Sequence, residues 1–316
     1  EEIVSKVEML KVALVIFDDE LSPAQTKNLQ KLFDKARVTD RSTLILEIFV
    51  RHASSKESKT QVELAQLQYL LPRLTRAWTH LERQRGATST RGGMGETQIE
   101  IDRRLIRNRI SMLKKELKKI EIQRDTRRKQ RDDMFKVALV GYTNAGKSSL
   151  MNLFSDAGVL VENKLFATLD TTVRKISVLD HEILLSDTVG FIHKLPHHLV
   201  ASFKSTLQEV RLADLILIVI DLSDPQYEKH LITVNEVLME LGVSESQTVT
   251  VFNKIDLIEG QETLSGALKE YADAVPVSAL RQVNIQQLEE KIIEIRQSGY
   301  VVETLKLDHS QQKFLA

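Results

Sequence analysis

The sequence predicts an α/β protein: a doubly wound parallel-sheet domain, preceded by a small α/β unit and an antiparallel two-helix coiled coil. Three observations carry that prediction. From Phe135 onward, near-continuous apolar runs alternate with helical segments, the pattern of parallel strands covered on both faces. Before them, two long stretches carry leucine and isoleucine at alternating three- and four-residue steps, the seam of paired helices. Nearer the start, two short apolar runs flank one helical segment.

Residues 1–57 read as the small α/β unit. Residues 12–17 (VALVIF) and 44–50 (LILEIFV) are expected as strands, around a helix that opens at Ser22-Pro23 and carries Leu29, Leu32 and Phe33 at helical spacing. Residues 58–134 form the hairpin. Its first stripe is Leu64, Leu67, Leu71, Leu74, Trp78 and Leu81; its second is Ile106, Ile110, Leu113, Leu117 and Ile120. Pro72 is expected to kink or break the first helix. Between the helices, Arg83, Arg85 and Arg91 alternate with four glycines, and no acid follows until Glu96, which describes a cationic tip. Residues 135–299 form the sheet domain, with strands at 137–140, 176–179, 182–187, 215–221 and 249–253 and a closing helix near 283–297. Residues 300–316 read as the start of a truncated further region.

Formal net charge is zero, which by itself argues against nucleic-acid binding, but the charge is unevenly placed. Arg103 to Arg131 holds thirteen Lys/Arg against three acids, a local +10 that the rest of the chain must balance. Such a segment is suited to phosphate backbones. The chain has no cysteine, which removes disulfides, thiolate metal sites and cysteine nucleophiles, and fits a cytoplasmic protein. No apolar run approaches the roughly 20 residues of a membrane span, and the start, Glu1-Glu2-Ile3, has no secretory pattern. A monomer is expected.

The sheet domain carries the chemistry. Gly141-Tyr142-Thr143-Asn144-Ala145-Gly146-Lys147-Ser148 fits G-x-x-x-x-G-K-[ST] between a strand and a helix that begins with Ser149. Glycines let backbone amides close around phosphate oxygens, and the helix N-terminus adds a favourable dipole. Lys147 should reach the β- and γ-phosphates and Ser148 should bind Mg²⁺. Alone, this loop leaves ATPases, kinases and GTPases open.

Three further segments narrow the choice. Asp187-Thr188-Val189-Gly190 ends a strand, where Asp187 can hold Mg²⁺ through water and the Gly190 amide can sense the γ-phosphate. Asn253-Lys254-Ile255-Asp256 ends a later strand, and a carboxylate there accepts two hydrogens from guanine. Adenine lacks that donor pair and would leave the carboxylate unpaired. Val277-Ser278-Ala279-Leu280 follows at the next strand end, suited to a backbone contact with the base oxygen. Together the four segments imply a P-loop GTPase domain.

Between Ser148 and Asp187, the segment from Phe166 to Arg174 includes Thr168, Thr171 and Thr172. Phe166 and these threonines are candidate nucleotide contacts, with Thr172 the first choice for Mg²⁺ and Thr171 the second. Lys147, Thr172 and Gly190 are the candidate catalytic residues. Phe191 follows Gly190 where many signalling GTPases carry a water-orienting glutamine, so hydrolysis should be slow without help. Asn144 suggests one form of help, a bound monovalent cation such as K⁺; its other reading is an asparagine that stabilises the loop's own turn. His193, His197 and His198 have no carboxylate or cysteine spaced for a closed metal site and read as a partner-facing surface.

With these residues in view, the chain resembles the HflX family of translational GTPases. The resemblance runs through VALVGYTNAGKSSL, FATLDTTVRKI and LLSDTVGFIHKLPHHLVASFKSTLQEV, and through LSPAQTKNLQKL, DRSTLILEIF, QVELAQLQYLLPRL and GGMGETQIEIDRRLIRNRI. The last segment is the more specific, because generic GTPases lack it. Met94 and Thr171 stand where the family usually has proline, and the C-terminal domain of many members is nearly absent. The resemblance implies a GTP-dependent binder of the large ribosomal subunit that splits stalled or idle ribosomes and leaves on hydrolysis. Arg83, Arg85, Arg91, Arg103, Arg104 and Arg107 are the candidate rRNA contacts. An RNA-binding assembly or chaperone factor and a protein-binding regulatory switch are the competing readings.

Overall fold

Ser22 starts the first strongly signalled helix. Its side chain accepts from the Gln25 amide at 3.3 Å while the Gln25 side chain accepts from the Ser22 amide at 2.8 Å, a capping box with Pro23 at the first helical position. The computed structural model describes residues 2–33, 35–84, 98–129, 134–155, 169–192, 204–244, 248–258 and 260–298. In the small unit, helix α1 (Glu2–Leu10), strand β1 (Leu14–Phe17) and helix α2 (Pro23–Leu32) precede β2 (Arg37–Asp40), which pairs in parallel with β1. Leu21, Phe33, Ala36 and Val38 form the core of this unit.

The run 44–50, expected as a strand, lies instead inside helix α3 (Arg41–His52). Asp40 caps α3 by accepting the Thr43 amide at 2.8 Å. Ser42, Ile45, Leu46 and Phe49 form its buried face at helical spacing. A short apolar run does not separate a buried helix from a strand, and the aspartate before it was the deciding signal. Asp40 also accepts from the Leu21 amide at 3.0 Å and the Tyr69 hydroxyl at 2.8 Å. Burial pushes the Asp40 carboxyl up, but the bonds from Thr43, Leu21 and Tyr69 outweigh it and hold it below the usual range. The Tyr69 phenol is raised, first by burial and then by Asp40.

Helices α4 (Lys56–Gln84) and α5 (Gln98–Lys129) run antiparallel, as the ion pairs Lys56–Glu116 (2.7 Å), Arg124–Glu57 (3.0 Å) and Arg109–Glu63 (2.6 Å) require. Leu64 and Leu113 are buried in the seam. Of the two outcomes expected at Pro72, the break is excluded: α4 continues through it, and Pro72 faces solvent. A second face of α4 packs Val62, Ala65 and Tyr69 on Ile45, Leu46 and Phe49 of α3.

The second domain is built on a sheet that, among the described residues, has six strands in the order β4-β5-β3-β6-β7-β8. These are β3 (Phe135–Gly141), β4 (Thr172–Val178), β5 (His181–Asp187), β6 (Leu215–Asp221), β7 (Thr248–Asn253) and β8 (Val275–Pro276). The pairings are parallel except β4 with β5, which is antiparallel. The parallel sheet expected from the sequence thus carries one antiparallel strand at its edge. Leu179 and Asp180 connect the two strands with φ of 44° and 65°, the doubly left-handed loop of a tight hairpin.

Continuous apolar strands serve two cores at once. Val137 and Leu139 face one side with Leu215, Leu217 and Val219, under α6 (Lys147–Ser155) and α10 (Ile285–Ser298). Ala138 and Val140 face the other side with Ile216, Ile218 and Ile220, under α7 (Lys204–Arg211), α8 (Tyr227–Glu240) and α9 (Gln261–Glu270). A third cluster joins the two parts of the chain: Leu169 and Val189 pack with Ile45, Leu46, Phe49, Val62 and Ala65. No described helix is long and apolar enough to cross a membrane.

Candidate nucleotide-binding site

Four loops at the carboxyl ends of the parallel strands converge on one place. The first follows β3. Gly141 has φ 152°, and a Cβ there would lie 2.1 Å from the Val219 carbonyl oxygen of β6, so only glycine fits. Gly146 has φ 98°, and a Cβ there would lie 2.0 Å from the Asn253 amide nitrogen. Asn144 sits at φ 63°, a left-handed conformation that asparagine tolerates.

Lys147 opens α6 and is buried. Its ammonium donates to the carbonyls of Gly141 (3.1 Å) and Tyr142 (2.8 Å). Burial lowers its pKa to about 8, with the Asp187 carboxylate acting in the opposite direction. The next residue, Ser148, donates its hydroxyl to Asp187 at 2.7 Å. Asp187 ends β5, and the antiparallel register sets Thr172, the first residue of β4, directly opposite it. The hydroxyl oxygens of Thr143 and Thr171 are buried with no hydrogen-bond partner among the described residues.

The segment after β5 lies against the first loop. Phe191 donates its amide to Gly141 O at 3.0 Å and accepts from the Thr143 amide at 2.8 Å. A Cβ on Gly190 would come within 2.9 Å of Thr143 and 3.1 Å of the Lys147 ammonium, so this glycine allows the closest approach of the two segments. The Phe191 side chain is buried in the sheet's second core.

Asn253, at the end of β7, ties the third and fourth segments to the first. Its side chain donates to Ala145 O at 2.8 Å and accepts from the Ala279 amide at 3.0 Å. Lys254, at φ 63°, reaches Asp221 at the end of β6 (2.7 Å). Asp256 lies in the short 3-10 turn Ile255–Leu257 and accepts from the Ser278 hydroxyl at 2.6 Å. Leu280 is largely exposed beside them.

Sequence reasoning passed over two contributors. Asp221 ends an apolar strand beside a candidate loop, a position that could have marked it. His230 of α8 stacks on Tyr142 with ring centroids 3.8 Å apart, and no spacing signals that contact. Phe166, Thr168, Arg85, Arg91, Met94 and the three histidines from His193 to His198 lie outside the described residues, as does the Arg83 side chain. Arg103, Arg104 and Arg107 lie on α5.

The donor set suits a hard divalent cation: a serine hydroxyl, a carboxylate and a threonine at one strand end. Among the described residues no cluster of three or more histidines or carboxylates forms a closed metal site.

Family models match along the chain: a GTP-binding GTPase N-terminal model over residues 1–50, a GTP-binding GTPase middle-region model over 52–131 and a 50S ribosome-binding GTPase model over 136–254. The chain is similar to the GTPase HflX of Magnetococcus marinus, 52% identical across 91% of this chain and 67% of the relative. It is also similar to that of Escherichia coli, 48% identical across 97% and 72%. With the GTPase HflX of Flavobacterium psychrophilum the identity is 55% across 78% of this chain, and the match spans 59% of the relative's length. Among solved structures, a Sulfolobus solfataricus GTP-binding protein in complex with GDP matches with a TM-score of 0.52 and 28% identity, covering 94% of this chain and 85% of that one.

Proposed function

The chain belongs to the HflX family of GTPases, and on that premise we propose that it binds the large ribosomal subunit in its GTP state, splits or remodels ribosomes, and leaves when GTP is hydrolysed to GDP and phosphate. Lys147 reaches the β- and γ-phosphates, the Gly190 amide contacts the γ-phosphate, and Asp256 holds guanine. Ser148, Thr172 and, through water, Asp187 are the residues that would hold Mg²⁺, which would neutralise phosphate charge. Phe191 turns its ring into the core and orients no water. The completing group therefore comes from elsewhere: the ribosome, or a K⁺ ion held at Asn144.

The observation that carries the ribosomal reading is the division of charge on α5. Arg109 and Arg124 turn inward to acids of α4. Arg107, Lys114, Lys115 and Lys118 are exposed, and together with Ile110 and Ser111 they line one shallow concavity. Their three- and four-residue spacing keeps them on one side of the helix over about 16 Å, a stripe suited to successive phosphates of structured RNA.

Co-sedimentation with large subunits tests this reading. The wild-type chain should pellet with a non-hydrolysable GTP analogue and not with GDP. The triple variant K114E/K115E/K118E should bind weakly, with the slope of log affinity against log salt reduced by about two to three and GTP affinity unchanged. Undiminished binding by the triple variant would contradict it.

A further inference from the structure

The segment that leads into Thr172 is fastened to the start of the long hairpin helix. Asp170 Oδ2 accepts from the Ser54 hydroxyl (2.6 Å), the Ser54 amide (3.3 Å) and the Ser55 amide (3.0 Å). Its other oxygen accepts from the Ser55 hydroxyl. Ser55 in turn caps α4, accepting from the Ser58 amide at 3.0 Å. The contact joins residues more than a hundred positions apart in the chain.

Apolar packing closes around this polar contact. Leu169, next to Asp170, is 1% exposed, and Val189, next to Gly190, is 6% exposed; both lie in the cluster formed by α3 and the first turns of α4. Each residue expected to respond to the γ-phosphate, Thr172 and Gly190, thus has a close neighbour in sequence embedded in the base of the hairpin. Packed elements of this kind move between discrete arrangements and do not deform freely.

We propose that Asp170 is a positioning residue that couples the nucleotide to the hairpin: the setting of Thr172 at the phosphate end and the setting of α4 are one equilibrium, transmitted through the Ser54–Ser55 contact. Helix α4 has 29 residues, a lever of about 43 Å. A tilt of about 5° at its first turn moves the far end by about 4 Å, given that length. Linkage makes the effect reciprocal. Whatever holds the far end of the hairpin alters affinity for GTP over GDP by the same factor as GTP alters the hairpin.

Hydrogen exchange on the full chain tests this without any ribosomal component, so its result stands apart from the partner proposed above. The readout is amide protection in the first turn of α4, Ser58 to Gln61, with GDP and with a non-hydrolysable GTP analogue. In the wild type the two states should differ by about tenfold, within the usual range of allosteric coupling. Asp170→Ala should reduce that difference to less than about twofold and change the affinity for the analogue, while GDP affinity stays within about twofold of wild type. Asp170→Asn, which keeps one acceptor oxygen, should retain an intermediate difference. Should Asp170→Ala fail to fold, Ser54→Ala removes one donor to the Asp170 carboxylate and leaves the Ser55 cap of α4 in place, and it should reduce the difference in the same direction. A purely structural contact would lower thermal stability in these variants and leave the nucleotide-dependent difference intact; that outcome, or no difference in the wild type, overturns the proposal.

Discussion

Replacing Lys147 with methionine is expected to lower GTP turnover by at least about 10²–10³-fold without destabilising the nucleotide-free protein at pH 7. The ammonium is buried and rests on two backbone carbonyls of its own loop. Its pKa falls from the ordinary 10.5 to about 8, chiefly through burial. Between those values the folded protein binds fewer protons than the unfolded chain, so stability rises with pH from about 8 to about 10.5. Below 8 the cost of holding the charge is fully present, on the order of 3 kcal/mol. Methionine removes that cost and forfeits two hydrogen bonds from a charged donor, worth about 1.5 kcal/mol each. The variant should therefore be about as stable as wild type at pH 7 and about 2 kcal/mol less stable than wild type at pH 10. Denaturant midpoints at the two pH values check the stability, and single-turnover hydrolysis checks the chemistry. Turnover within tenfold of wild type would remove Lys147 from the site. The opposition of the two effects has a physical basis: a triphosphate supplies the negative charge that the buried ammonium otherwise draws mainly from carbonyl dipoles.

Asp256→Asn should lower affinity for GTP by about 10⁴-fold and raise affinity for xanthosine triphosphate. The Asp256 carboxylate is held by the Ser278 hydroxyl at 2.6 Å, and Ser278 is fully buried, so the carboxylate is oriented before the base arrives. Guanine presents two hydrogens to it. An amide at this position offers one acceptor and turns a donor toward the base, and unpaired polar groups in a built site cost factors of about 10⁴–10⁵. Xanthine has an oxygen where guanine has the amino group, and it accepts from that amide donor. Competition binding with the two triphosphates reads the switch directly. Unchanged preference for GTP would show that Asp256 does not recognise the base.

The layout of the candidate nucleotide site was legible because its motifs fall at strand ends in a fixed order, and because each motif carries its own chemistry. Gly141 and Gly146 could be placed from pattern alone, and the structure adds the reason: a Cβ at either would overlap Val219 or Asn253. Other features were not legible because local pattern underdetermines them. The run 44–50 has the same apolar content as a strand, and only the cap at Asp40 and the burial of Ile45, Leu46 and Phe49 reveal a helix. The hairpin of β4 and β5 depends on left-handed Leu179 and Asp180, residues that do not advertise that conformation. Helix α4 showed one stripe in the sequence but has two faces, and the second, through Val62 and Ala65, meets Leu169 and Val189. That contact and the Asp170–Ser55 bonds are tertiary pairings across more than a hundred residues, beyond the reach of periodicity.

The proposed roles of the phosphate loop, of Asp256 at the base and of the buried Phe191 together make a GTPase that takes one element of its chemistry from a partner. The measurement that bears most directly on this account is the GTP turnover rate of the chain with and without purified large ribosomal subunits. The expected result is slow turnover alone and a rise of roughly 10²-fold or more on adding subunits. Equal rates in both conditions, at subunit concentrations that pellet the protein with the GTP analogue, would contradict it.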